Sequence, residues 1–154
     1  MKIAFGSDHA GYELKNALME HLKENGYEVY DLGCNDTQSC DYTDYAKAVA
    51  GEVASGKAQR GVLVCGTGIG MSIAANKVKG IRAAVVTEEF SAKATREHND
   101  ANILCLGARV LDKERATGLL DIFMNTPFSN GENHIRRIGK IAKIEEEERL
   151  EQQA

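Results

Sequence analysis

The stretch Gly61 to Asn76 limits what this chain can fold into more than any other: Gly-Val-Leu-Val-Cys-Gly-Thr-Gly-Ile-Gly-Met-Ser-Ile-Ala-Ala-Asn. Val62 to Val64 reads as a buried strand. Gly66, Gly68 and Gly70 then alternate, and a helix of small residues follows from Met71 to Asn76. A strand, a glycine turn and a helix together aim backbone N–H groups and a helix N-terminus at one negative charge. Directly before the first glycine stands Cys65. Beside such donors a thiolate is favoured, and the cysteine pKa is expected to fall from about 8.5 toward neutrality. The stretch therefore offers a base or nucleophile next to an oxyanion site. A plain alternative is that Cys65 is only the last hydrophobe of its strand.

The rest of the chain alternates in the same way. Lys2 to Gly6, Tyr27 to Leu32, Ile81 to Val86 and Asn102 to Leu106 read as further strands. Leu14, Ala17, Leu18, His21 and Leu22 form a helical apolar stripe, with His21 as a packed structural histidine and Gly26 closing the helix. Gly33 to Thr43 reads as a surface loop. A helix from about Asp44 to Ser55 buries Tyr45, Ala46, Val49, Ala50 and Val53, and another spans about Glu88 to His98. Asp112 is placed to cap a helix that buries Ala116, Leu119, Leu120, Phe123 and Met124. After a break at Thr126 to Gly131, a last long helix runs from about Glu132 to Leu150, ending in an acid run and a Gln-rich tail that is expected to fray.

Strands alternating with helices predict a parallel sheet covered on both faces, a three-layer α/β/α sandwich of Rossmann-like type. The 154 residues suit one domain spanning 1–154, with the last helix packing on a partner subunit. In such a sheet the carboxyl ends of all strands face one side. That gathers Ser7-Asp8-His9, Cys65-Gly66-Thr67, Thr87-Glu88 and Gly107-Ala108-Arg109 at one rim.

Bulk properties exclude some partners. A net charge of −4 offers no footprint for nucleic acid. No apolar run approaches the roughly 20 residues that cross a bilayer, so no membrane role is expected. Met1 to Gly6 reads as the start of a strand and not as a leader. Cys34, Cys40, Cys65 and Cys105 show no metal-ligand spacing. The expectation is a cytoplasmic protein with reduced thiols, no metal and no cofactor.

Several residues carry two readings. Asp8 caps the first helix or takes part in chemistry. His9 is structural or touches a ligand. The Thr67 hydroxyl reaches a bound oxygen or bonds its own turn. His98, with Asn99, ends a helix where the dipole alone favours a histidine. Arg109, Arg136 and Arg137 suit a phosphate. The glycines are not a nucleotide fingerprint: they read G-x-G-x-G, follow the third strand and lack a lysine. Only Glu88, about twenty residues on, keeps a dinucleotide reading alive.

Taken in order, Gly6-Ser7-Asp8-His9-Ala10-Gly11, Asp41-Tyr42, Cys65-Gly66-Thr67-Gly68-Ile69-Gly70, Ile73-Ala74-Ala75-Asn76-Lys77, His98-Asn99-Asp100-Ala101-Asn102 and Gly107-Ala108-Arg109-Val110 resemble one family. It is that of the type B ribose-5-phosphate isomerases, with relatives acting on galactose 6-phosphate and allose 6-phosphate. The resemblance spans nearly the whole chain. It implies a metal-free aldose–ketose isomerase with a five-stranded parallel sheet, working as a homodimer or homotetramer. It implies an active site between subunits, with the His98 and Arg109 segments coming from the partner. Cys65 is then the base between C2 and C1. His98 opens the sugar ring, assisted by Asp8, and Thr67 serves ring opening or proton movement between O1 and O2. His9, Arg109 and Arg137 match phosphate contacts, and Tyr42 and Asn99 match substrate contacts. The N–H groups of Gly66, Gly68, Ile69 and Gly70 would hold the enediolate charge. One residue departs from the pattern: Asn133 stands where the family has arginine, a place that Arg136 or His134 can fill. Three functions follow: ribose 5-phosphate isomerase, hexose 6-phosphate isomerase, or a non-catalytic sugar-phosphate or nucleotide-binding subunit.

Overall fold

The computed structural model describes residues 1–153. Five strands carry the architecture: β1 (Lys2–Ser7), β2 (Glu28–Asp31), β3 (Arg60–Cys65), β4 (Ala83–Val85) and β5 (Ile103–Gly107). Six helices alternate with or follow them: α1 (Tyr12–Glu24), α2 (Tyr42–Ala54), α3 (Ile69–Ala75), α4 (Glu89–Glu97), α5 (Lys113–Asn125) and α6 (Glu132–Gln153). All strand pairs are parallel, in the order β2-β1-β3-β5-β4. The expected fold is therefore the observed one.

Period-two alternation divides the core between two faces. Ile3, Phe5, Val62, Val64, Leu104 and Leu106 point to the layer of α1, α4 and α5. Ala4, Leu63, Cys65, Ile103 and Cys105 point to the layer of α2 and α3. Cys65 thus belongs to the face that α3 covers. The chain runs outward from β1 to β2, then returns to β3 and continues the other way. This reversal makes the gap between β1 and β3 the switch point, where open α/β sheets bind ligands.

Local differences from the sequence reading have local causes. In α1 the buried residues are Lys15, Leu18, Met19 and Leu22, so the stripe is rotated from the expected one. Leu14, Ala17 and His21 are only half-buried. His21 is not sealed in the core: its Nε2 lies 2.7 Å from Asp121 Oδ1 on α5, a hydrogen bond at the helix–helix margin. Tyr42 opens α2 two residues earlier than expected, and Tyr45 is half-buried. The strand that becomes β4 is three residues, because Arg82 and Val86 are outside the ladder. Asp112 caps α5 as expected, its carboxylate accepting the Arg115 N–H at 2.7 Å.

Two features mark the β4 side. The Asn76 side chain donates to Ala83 O at 2.9 Å and accepts from Ala83 N at 2.8 Å. Beside it lies α6, which runs to Gln153 and buries none of its described residues within the chain. It touches the turn between α3 and β4 through Lys79 Nζ on Glu146 (2.7 Å) and Gly80 N–H on Glu145 (2.9 Å). A groove of about 430 Å³ lies between Ile141 and Ile144 of α6 and Ile81, Ala83 and Ala84 of the sheet edge. No described helix is long and apolar enough to cross a membrane.

Candidate active site

Parallel register builds the carboxyl rim. Ser7 pairs with Val64, and Cys65 pairs with Gly107, so the residues after β1, β3 and β5 lie side by side. The Asp8 N–H donates to Val64 O at 3.2 Å. The Asp8 carboxylate is buried and accepts the Gly11 N–H at 3.1 Å, which pins the turn into α1. Gly11 has no room for a side chain: a Cβ there would sit 2.4 Å from Val64 O.

Cys65 is buried, and its Sγ accepts the Gly68 N–H at 3.1 Å. Gly68 reaches this position with φ at +81°, in the left-handed region that favours glycine. The N–H groups of Gly66, Thr67 and Gly70 donate to no protein acceptor among the described residues, so three donors remain beside the sulfur. With only seven residues in α3, the individual N–H groups rather than the helix as a whole set the local charge preference. The Thr67 hydroxyl accepts the Ile69 N–H at 3.3 Å and stays exposed, so the turn bond and solvent access coexist. The Tyr42 ring closes one side, since a Cβ on Gly70 would lie 2.8 Å from its Cζ.

The other cysteines are different in kind. All four are free thiols. Burial pushes the Cys105 thiol far up, with Cys65 adding to it, so Cys105 stays a neutral core residue. Cys40 is raised as well, chiefly by burial. Its N–H donates to His9 Nδ1 at 3.2 Å, an arrangement that in the neutral ring assigns the proton to Nε2.

Arg109 belongs to the same rim. Its N–H donates to Gly66 O at 2.9 Å, and a Cβ on Gly66 would lie 3.3 Å from its guanidinium. The resemblance implied that this segment comes from a partner. Within this chain it already stands against the glycine turn, because β5 pairs with β3 and ends opposite Cys65.

His98 and Asn99 are not at that rim. Helix α4 starts at the carboxyl ends of the strands and returns to their amino ends, where β5 begins at Ile103. A five-residue strand spans roughly 15 Å, so one chain cannot bring His98 to Cys65. The start of α6 shares the amino edge with His98. Ser129 N–H donates to Glu97 O at 3.2 Å, and the His134 ring stacks on His98 at 4.5 Å with 12° between planes. Burial, His98 and Arg137 together hold His134 below the ordinary imidazole range. Asn133, Arg136 and Arg137 are exposed there. The site residues thus fall into two groups. Asp8, His9, Tyr42, Cys65, Gly66, Thr67, Gly68, Ile69, Gly70 and Arg109 line the carboxyl rim, and His98, Asn99, Asn133 and Arg137 stand at the amino edge.

Glu88 loses its dinucleotide reading. Its carboxylate caps α4 by accepting from Phe90 N (2.8 Å) and Ser91 N (2.9 Å), and the Ser91 bond leads the causes that hold it below the usual carboxylate range. His134 is the residue that sequence reasoning passed over as a mere substitute for arginine. Its spacing of two from Glu132 on a helix start carried no sign of the stack. No group of three or more metal-ligating side chains converges among the described residues.

The family described as Ribose/Galactose Isomerase matches residues 3–141. Ribose-5-phosphate isomerase B of Escherichia coli is 46% identical over 145 residues, covering 94% of this chain and 97% of that protein. The structure of Clostridium thermocellum ribose-5-phosphate isomerase B superposes with a TM-score of 0.94 at 50% identity, covering 96% of this chain and 99% of that one. Ribose-5-phosphate isomerase B of Mycoplasma genitalium, with bound ribulose-5-phosphate, superposes at 0.90 with 42% identity, covering 95% and 97%. With one sheet order, one glycine turn and a match across nine-tenths of its length, this chain belongs to the ribose/galactose isomerase family.

Proposed function

We propose that this chain is a cytoplasmic aldose–ketose isomerase, one domain over residues 1–154, that interconverts D-ribose 5-phosphate and D-ribulose 5-phosphate. The observation that carries the reading is Cys65 Sγ held by the Gly68 N–H at the switch point, with three unused N–H donors beside it. Isomerisation needs a base, a proton relay and a place for enediolate charge. Cys65 as thiolate takes the C2 proton of the open-chain aldose. The electrons of the C–H bond form the C1–C2 double bond, and charge collects on O1. The Gly66, Thr67 and Gly70 N–H groups bind that oxyanion. Each such donor is typically worth about 3 kcal/mol in the transition state. Thr67 passes the proton between O2 and O1, and the Cys65 thiol returns its proton to C1. His9 Nε2–H and the Arg109 guanidinium hold the phosphate, fixing C1 and C2 against the sulfur. The route needs no metal or cofactor.

Substrate preference tests this reading. Ribose 5-phosphate is expected to give the highest kcat/KM among ribose 5-phosphate, allose 6-phosphate and galactose 6-phosphate, unchanged by EDTA. Preference for a hexose phosphate would move the assignment to a longer sugar. Asn133 favours that second reading, since it leaves the amino-edge clamp one cation short of the family's pattern. No turnover on any of the three would leave a binding role.

Ring opening is the work of His98 of the partner subunit, with Asp8. The separation of Cys65 and His98 on opposite sheet edges supports a homodimer or homotetramer in which one carboxyl rim meets another chain's amino edge. The apolar side of α6, with Ile135, Ile141 and Ile144 exposed by 41–59%, suits packing on that partner. Mixing Cys65→Ala and His98→Ala chains after unfolding and refolding together is expected to restore about a quarter of the wild-type sites, because hybrid dimers hold one intact and one doubly altered site. Each variant alone, assayed on ribose 5-phosphate, should stay inactive. No recovery in the mixture would place both residues in one chain's site.

A further inference from the structure

A lysine stands fully buried in α1, a place where the proposed chemistry does not use it. The Lys15 side chain has no exposure, and its Nζ lies 2.7 Å from Asp31 Oδ1 and 2.7 Å from Cys34 O. Burying an ammonium is costly unless it is paired and hydrogen-bonded, and methionine or leucine would fill this position more cheaply. The cation therefore has to be accounted for by what it holds.

What it holds is the start of the segment between β2 and α2. The same Asp31 Oδ1 also accepts the Gly33 N–H at 2.9 Å. Gly33 O accepts from Ser7 N at 2.7 Å, and Cys34 N donates to Ser7 O at 2.9 Å. Lys15 thus locks the segment to the end of β1, immediately before Asp8 and His9. At the segment's far end the Cys40 N–H reaches back to His9 Nδ1. That bond selects the His9 tautomer, with Nε2–H left free to donate.

We propose that Lys15 is a positioning residue for His9: by anchoring Asp31 and Cys34 it holds the Cys40 N–H against His9 Nδ1, so that Nε2–H is presented to the substrate phosphate. This rests on the reading of His9 as a phosphate contact. Without the ammonium, the Asp31 carboxylate and the Cys34 carbonyl lose their shared partner inside the fold. The segment shifts, the Cys40 donor leaves, and His9 samples both tautomers.

The test uses the whole chain as Lys15→Met, His9→Ala and the double variant, with kcat and KM on ribose 5-phosphate and inhibition by inorganic phosphate. Long-range proton–nitrogen NMR of the histidine rings reads the His9 tautomer directly. Lys15→Met is expected to raise KM and the phosphate inhibition constant about tenfold, the scale of one charge-assisted hydrogen bond. His9→Ala should do the same, and the double variant should be no worse than His9→Ala alone. The His9 spectrum should change from Nε2–H alone to a mixture in Lys15→Met. A lower melting temperature with unchanged KM and an unchanged His9 spectrum would overturn the proposal. If His9→Ala leaves KM untouched, the phosphate reading of His9 fails, and the tautomer spectrum still decides whether Lys15 positions the ring. Should Lys15→Met not fold, Asp31→Asn removes the charge of the anchor and takes the same measurements.

Discussion

Cys65→Ala is expected to lower kcat on ribose 5-phosphate by about 10²–10⁴-fold, the usual contribution of a positioned base, while the sugar phosphate still binds. The geometry separates the two effects. Among the described residues Cys65 Sγ has one hydrogen-bond partner, the Gly68 N–H, and takes no part in anchoring the rim segments that carry His9 and Arg109. Those segments hang on backbone bonds from Val64 and Cys65 carbonyls, which alanine keeps. Isothermal calorimetry of the inert variant with ribose 5-phosphate should therefore return an affinity close to the wild-type KM. Retained turnover would remove the thiolate from the mechanism. Lost binding would make Cys65 a structural member of the pocket and leave the base to be found elsewhere.

The second large effect is expected at Gly68. Its φ of +81° costs an alanine about 1–2 kcal/mol by itself. A Cβ would also stand 2.9 Å from Val85 Cγ2 and 3.0 Å from the Leu106 carbonyl carbon, and that backbone cannot yield without disturbing the ladder between β4 and β5. The turn has to move, and with it the N–H that faces Cys65. Gly68→Ala should lower the urea midpoint and, in the fraction that folds, reduce kcat by about 10²–10³-fold, the cost of losing one preorganised donor. Gly56→Ala makes the control. Its φ is +82°, but nothing lies within 4 Å of its Cβ and it is remote from the rim. It should show the backbone cost with normal kcat. Equal kcat in both variants would mean that the Gly68 N–H does nothing for the chemistry.

What could be read from the sequence was what local pattern controls. Apolar runs ending in Asp8, Cys65 and Gly107 predicted strands, and a parallel sheet then put their ends together without any coordinate. The Asp112 cap and the glycine turn were legible for the same reason. Lys15 was not, because a helical stripe is counted in apolar residues and a lysine is assumed to face water; the carboxylate that makes its burial possible is sixteen residues away on β2. Glu88 matched a ribose-binding acid by distance along the chain, but the free N–H groups at the start of α4 were closer partners. The placement of β4 outside β5 has no local signature at all. The resemblance implied that His98 and Cys65 meet across subunits; that they stand at opposite edges of one sheet follows from the direction of α4.

The paired bonds between Asn76 and Ala83 have a consequence for how copies of this chain can meet. A sheet that stops at a bare strand invites another strand to zip onto it, and parallel growth of that kind has no natural end. Here one carboxamide imitates a neighbouring backbone at Ala83, offering a donor and an acceptor and then going no further. An incoming chain finds that register already taken. Assembly along this side is left to side-chain packing, which demands a fitted surface, and open-ended fibre growth is denied its first rung.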